Sequence, residues 1–138
     1  MYDAGPLPIE RAATRSTMIK FIQCIRAKPG LSVEAFRKKF SEYGDRVRPM
    51  AAAAKAEKVS VREVLHIDQN LDVMAARGTE DPYDGVLELS WSKGSDVVSY
   101  LAQPAAQEAI ESLRAYQEEF IDLSRSSFFF TSEESELI

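Results

Sequence analysis

Residues 18–44 read MIKFIQCIRAKPGLSVEAFRKKFSEYG, and the reading of this stretch decides the fold. Met18 to Arg26 is rich in β-branched and aromatic side chains and runs into Lys28-Pro29-Gly30, which is the composition of a strand entering a tight turn. Ser32 then supplies an N-cap hydroxyl, and Glu34 sets a carboxylate in the first turn, where the helix dipole favours it. Phe36, Phe40 and Tyr43, four and three residues apart, share one face of the predicted helix. That helix is expected to reach Arg46 or Val47 and to stop before Pro49, with the alanine-rich segment Met50 to Lys58 forming a further short helix.

Outward from this core, apolar patterning predicts strands over Val59–Ile67, Tyr83–Trp91 and Ser126–Thr131. Residues 68–82, DQNLDVMAARGTEDP, read as a long polar loop of the length that usually carries function. Ser95 is expected to cap a helix through Leu101. Pro104 opens another, with Ala106, Ala109, Ile110, Leu113 and Tyr116 as its buried stripe. The resulting order, β-α-β-β-α-β, is the ferredoxin-like plan: an α+β fold with a four-stranded antiparallel sheet.

Helices in that plan cover one face of the sheet. Yet the first strand carries Ile19, Phe21 and Ile25 on one face and Met18, Ile22 and Cys24 on the other, while Phe129 opposes Phe128 and Phe130. Strands apolar on both faces need cover on both. Burying one phenylalanine is worth roughly 1.5–3 kcal/mol, and no element of the chain is left to cover the second face. A symmetric homodimer packed through the sheets is expected.

Composition narrows the function. With 17 basic and 22 acidic residues the formal net charge is −5, and Arg37-Lys38-Lys39 is the only run of adjacent basic residues. Neither nucleic acid nor an anionic membrane surface is an expected partner, since both need a concentrated positive footprint. No run of about 18 apolar residues suggests a membrane span. Residues 1–17 hold Asp3, Glu10 and two prolines without an apolar core, so they read as a flexible extension rather than a secretory signal. The folded domain is expected over 18–134, with a tail at 135–138 whose Leu137 and Ile138 are available to a partner, and a cytoplasmic location is the default. The lone Cys24 reads as a small buried hydrophobe. One cysteine and one histidine leave no conventional zinc cluster, and no metal or other cofactor is expected.

The opening stretch, together with YDGVLELSW (83–91), FID (120–122) and SRSSFFFTSEE (124–134), resembles the EthD-type family of the dimeric α+β barrel superfamily. The resemblance covers Met18 to Glu134. It implies two sheets closing a barrel in a dimer, with a cleft between sheet and helices in each subunit. It further implies cofactor-independent lyase, isomerase, cyclase or decarboxylase chemistry, or cofactor-free oxygenation, on a small aromatic, polyketide-like or lactone compound. The family usually carries a histidine eight residues beyond the equivalent of Phe36, where this chain has Gly44.

His66, the single histidine, is placed on the second strand in alternation with Arg62, Val64 and Asp68. Facing the cleft, it would serve as acid–base, oriented by Asp68 or Glu88; a structural histidine bonded to a neighbour is the competing reading. Glu88, mid-strand, either pairs with an arginine (Arg46, Arg48 or Arg62) or stands in an apolar cleft. Tyr43 and Tyr83 are candidates to orient a ligand oxygen, and Trp91, Phe40 and Arg62 to line the site, although packing also accounts for the aromatic residues. The alternatives to an enzyme are a non-catalytic small-molecule-binding or accessory protein, for which Gly44 argues, and a dimer serving protein association alone.

Overall fold

The computed structural model describes residues 18–132 and 135–138, so the expected extension at 1–17 lies outside the described residues. In chain order the elements are β1 (Ile19–Ile25), α1 (Val33–Ala53), β2 (Lys58–Glu63), α2 (Asp68–Arg77), β3 (Gly85–Trp91), α3 (Gly94–Leu101), α4 (Pro104–Phe120), a 3-10 turn (Leu123–Arg125) and β4 (Ser127–Ser132). The sheet order is β2-β3-β1-β4, with every pairing antiparallel. This is the ferredoxin-like α+β plan read from the sequence.

Register assigns the faces. Phe21 stands between Leu89 and Phe130, and Gln23 between Leu87 and Phe128, on the side covered by α1, α3 and α4. Ile22 stands between Glu88 and Phe129 on the opposite side. Burial follows the same alternation: Ile19, Gln23, Ile25, Leu87, Leu89 and Trp91 are buried, whereas Ile22, Cys24, Val86 and Glu88 are only half-buried. Among the described residues one sheet face is covered and the other is not.

Helix α1 packs the sheet through Phe36, Phe40, Tyr43, Val47 and Ala51. Ser32 Oγ caps it, accepting from the Ala35 amide at 3.1 Å. Contrary to the expected stop, the helix runs through Pro49. Losing one backbone bond and fitting the ring costs about 3 kcal/mol. Burial of Val47 before the proline and of Ala51 and Ala54 after it offsets that cost. The expected short helix from Met50 to Lys58 is therefore the last turn of α1. It closes in a Schellman arrangement, with Lys55 N–H bonded to Ala52 O, Ala56 N–H bonded to Ala51 O, and Lys55 at φ +62°. The Trp91 indole N–H donates to Ala54 O at 3.0 Å, tying this helix end to the sheet.

Three further expectations are corrected. Strand β2 ends at Glu63 rather than Ile67, because β3, its only partner among the described strands, begins at Gly85 opposite Glu63. The expected loop over 68–82 holds α2, opened by Asp68, closed by Arg77 and stopped by Gly78 at φ +66°. None of its residues is buried, so its sequence lacks the apolar stripe that marks packed helices. Helix α3 begins at Gly94 behind Lys93, so Ser95 lies inside it. On α4 the expected stripe holds at Ala106, Leu113 and Tyr116, while Ile110 is 36% exposed because it borders an open cleft. The chain-end residues Leu137 and Ile138 are fully exposed.

Candidate functional site

Two concavities bear on function. The first is an apolar cleft of about 300 Å³ between the sheet and the helices. Phe21, Leu89 and Trp91 line it from the sheet and Tyr100, Ile110 and Leu113 from α3 and α4. Three of its polar groups form one connected string. Gln117 Nε2 donates to Tyr43 Oη at 2.7 Å, and Tyr43 in turn donates to Gln23 Oε1 at 2.7 Å. Burial pushes the Tyr43 phenol above its ordinary range, and the two glutamine hydrogen bonds draw it part of the way back. Burial likewise raises Tyr100. Tyr43 is consequently a neutral donor near pH 7 and not a base. Among the described residues Arg114 is the one charged residue lining this cleft, and its side chain is 71% exposed, at the mouth.

The second concavity, about 430 Å³, is polar and lies between the end of β1, the segment before β3, the start of α2 and the 3-10 turn. Arg26, buried here, donates from Nε to Arg125 O at 2.8 Å and from a terminal nitrogen to Asp81 O, and its guanidinium lies 4.1 Å from the Tyr83 ring centroid. Tyr83 Oη is 3.0 Å from Ser127 Oγ. Asp84 Oδ2 accepts from the Ala27 amide at 2.7 Å, and Asp84 Oδ1 lies 4.0 Å from His66 Nε2. Three of these bonds pin residues 81–84 to Arg26 and Ala27, just beyond β1, and to Ser127 of β4.

The candidate residues thus divide among four places. Tyr43 and Trp91 line the apolar cleft. His66, Asp68 and Tyr83 line the polar pocket. His66 does not sit on β2, which ends before it, and its side chain is half exposed. Phe40 is core, its ring pressed against Gly85. Glu88 and Arg62 are ion-paired on the uncovered sheet face, so Glu88 neither faces the cleft nor orients His66. Burial and the nearby Glu88 carboxylate both push the Cys24 thiol up on that same face. Gly44, at the family histidine position, faces Val61 of β2, 3.5 Å from where a Cβ would stand. Among the described residues no three of His, Cys, Asp and Glu are grouped as a metal requires, and no helix is long and apolar enough to cross a membrane.

Sequence reasoning missed Gln23, Gln117 and Arg114. The signal for Gln23 was present: it is the polar member of an otherwise apolar parity set, Ile19, Phe21 and Ile25. Gln117 follows Tyr116 at the edge of the α4 stripe, and Arg114 is one turn beyond Ile110.

The fold is shared with solved structures at low identity. A hydroxynitrile lyase from Passiflora edulis superposes with TM-score 0.57 at 12% identity, covering 88% of this chain and 97% of its own. A dimeric ferredoxin-like protein from Bacteroides fragilis gives 0.55 at 13%, covering 85% and 97%. A point mutant of SnoaB, a cofactor-independent oxygenase from Streptomyces nogalater, gives 0.51 at 13%, covering 88% and 98%. No curated protein matches the chain in sequence. The EthD domain model, however, matches residues 28–124, from the turn ahead of α1 to the 3-10 turn ahead of β4. The chain belongs to the EthD domain family.

Proposed function

We propose that this protein takes a small aromatic or polyketide-like compound into the apolar cleft and converts it without a cofactor, in a lyase, isomerase, cyclase or oxygenase step. The observation that carries this reading is the Gln117–Tyr43–Gln23 string set into an otherwise apolar, aromatic-lined cavity. Such a site binds by burial of flat apolar surface and reads one oxygen function by hydrogen bonding. No carboxylate or imidazole of the described residues lines it, so the chemistry best suited is that of a compound acidic enough to ionise by itself, such as a 1,3-dicarbonyl or a phenol. The enzyme's part is then to hold the delocalised enolate or phenolate oxygen against preorganised donors. Neighbours in fold that carry out lyase and cofactor-independent oxygenase reactions support the reading by analogy alone.

The working unit of this proposal is a homodimer, supported by the half-apolar uncovered sheet face and by fold neighbours described as dimeric. Its test is incubation of purified protein with a panel of aromatic 1,3-dicarbonyls and polyphenols, following product by mass spectrometry and oxygen by electrode. Conversion lost in Tyr43→Phe supports it. Saturable binding without product across the panel leaves an accessory binding protein instead.

A second reading puts acid–base chemistry in the polar pocket, favoured by His66 Nε2 lying 4.0 Å from Asp84 Oδ1. Turnover lost in His66→Ala and kept in Tyr43→Phe would select it.

A further inference from the structure

We infer that the ligand of the apolar cleft is an aromatic acid, with a hydrogen-bond-accepting oxygen at its inner end, read by Gln23, and a negative charge at its outer end, answered by Arg114. The inference rests on the cleft being the ligand site proposed above and adds the ligand's polarity and charge.

The inner end follows from the hydrogen-bond inventory. Gln23 is 3% exposed, and its Oε1 is occupied by the Tyr43 hydroxyl. Its amide nitrogen has no partner among the described residues, yet no fully enclosed side-chain nitrogen or oxygen there lacks one. The nitrogen therefore keeps an opening, and Gln23 opens onto the cleft. A glutamine amide carries two N–H donors. Flipping both amides, so that the string runs the other way, still leaves Gln23 one N–H free. A buried donor without a partner is costly, and a ligand oxygen arriving there removes the penalty. Phe21, Leu87 and Phe128 flank Gln23 on the same sheet face and offer no acceptor side chain.

The outer end follows from charge. Among the described residues Arg114 is the only charged side chain lining the cleft, and none of them sets a carboxylate there to neutralise it. Its one ion pair among the described residues, to Glu118 at 3.6 Å, joins side chains that are 71% and 60% exposed. Pairs so exposed contribute little, so the guanidinium turns to a ligand at small cost. The chain's net charge of −5 does not oppose this at close range, because charges beyond roughly 8 Å are screened at physiological salt. A planar guanidinium at an apolar mouth is matched by a carboxylate, which it binds through two parallel hydrogen bonds.

The experiment compares 6-hydroxy-2-naphthoate with its neutral primary amide, 6-hydroxy-2-naphthamide, by titration calorimetry on the full chain. Quenching of Trp91, the only tryptophan and a cleft-lining residue, reports that binding is in the cleft. The expected result is that the acid binds at least tenfold more tightly than the amide. Arg114→Gln removes that preference by weakening the acid alone, Arg114→Lys keeps part of it, and Gln23→Met weakens both probes alike. Arg114 is a surface residue, so its variants fold even if Gln23→Met does not. Equal affinity for acid and amide, or a preference that survives Arg114→Gln, overturns this inference and leaves the cleft as a ligand site. Absence of Trp91-linked binding for both probes overturns the inference and the cleft reading together.

Discussion

The phenol of Tyr43 donates to Oε1 of Gln23 across 2.7 Å, joining α1 to β1 at the inner end of the apolar cleft. Gln117 donates to the same phenol from α4, so one hydroxyl holds three elements in register. Tyr43→Phe keeps the ring and leaves two amides without their shared partner. The expected cost is about 1–3 kcal/mol, the desolvation penalty of groups left unpaired in a buried site. Urea unfolding measures it. A cost below a few tenths would mean that water takes over the phenol's role.

Gly85 opens β3 directly against the ring of Phe40. A Cβ at that position would stand 2.6 Å from Phe40 Cε2 and 2.8 Å from Cζ, and the glycine's φ is not in the left-handed region. The glycine is there for space and not for backbone freedom. Gly85→Ala is expected to cost about 1–3 kcal/mol by overpacking. The double variant Gly85→Ala with Phe40→Leu should recover part of that loss, because it removes the atoms in conflict. A double variant no better than the sum of the two singles would place the strain elsewhere.

Elements with a buried face were legible in the sequence; those without one were not. Phe36, Phe40 and Tyr43 announced α1 because the sheet beneath them demands apolar residues at that spacing. Helix α2 buries nothing, so 68–77 carried only terminal signals, Asp68, Arg77 and Gly78, and read as loop. His66 was misplaced for a related reason: apolar Val64, Leu65 and Ile67 extend the pattern of β2 past the point where its partner strand ends. The Glu88–Arg62 pair was within reach, since both lie on one face of adjacent strands, whereas Glu88's distance from the cleft needed the register. The cleft's own string could not be assembled from sequence, because Gln23, Tyr43 and Gln117 meet only in the folded chain.

Tyr116 donates to Glu42 Oε2 at 2.6 Å, and burial followed by this bond pushes its phenol up to about 12. The unfolded chain releases that proton near pH 10. Stability from this group is therefore full below about pH 10 and lost as pH rises through 12, because the unfolded state binds fewer protons in that window. Buried Tyr43 and Tyr100 act with the same sign. Glu42 behaves oppositely: the Tyr116 bond lowers its carboxyl, so its contribution is present above its ordinary 4.5 and disappears as pH falls. Tyr116→Phe should flatten both limbs of a plot of urea midpoint against pH. Limbs unchanged in the variant would show that this pair does not govern them.

Phe129 stands beside Ile22 on the sheet face that no helix of the described residues covers, 42% exposed, with Cys24 and Val86 half-buried nearby. In the proposed homodimer that face packs against its copy. Phe129→Glu should then halve the mass seen by sedimentation equilibrium while leaving the far-ultraviolet spectrum intact. The Glu88–Arg62 pair on the same face gives an independent measure, since the Glu88 side chain is only 17% exposed even in the single chain. If a second sheet covers it, Arg62→Ala leaves a buried carboxylate without its partner, and dimer stability should fall by about 3–5 kcal/mol. If the face stays in water, the same substitution removes a surface pair worth at most about 1 kcal/mol. The dilution series that measures dimer dissociation for wild type and Arg62→Ala therefore separates the two cases by several kcal/mol. A small change together with an unaltered mass for Phe129→Glu would move the association surface off this face.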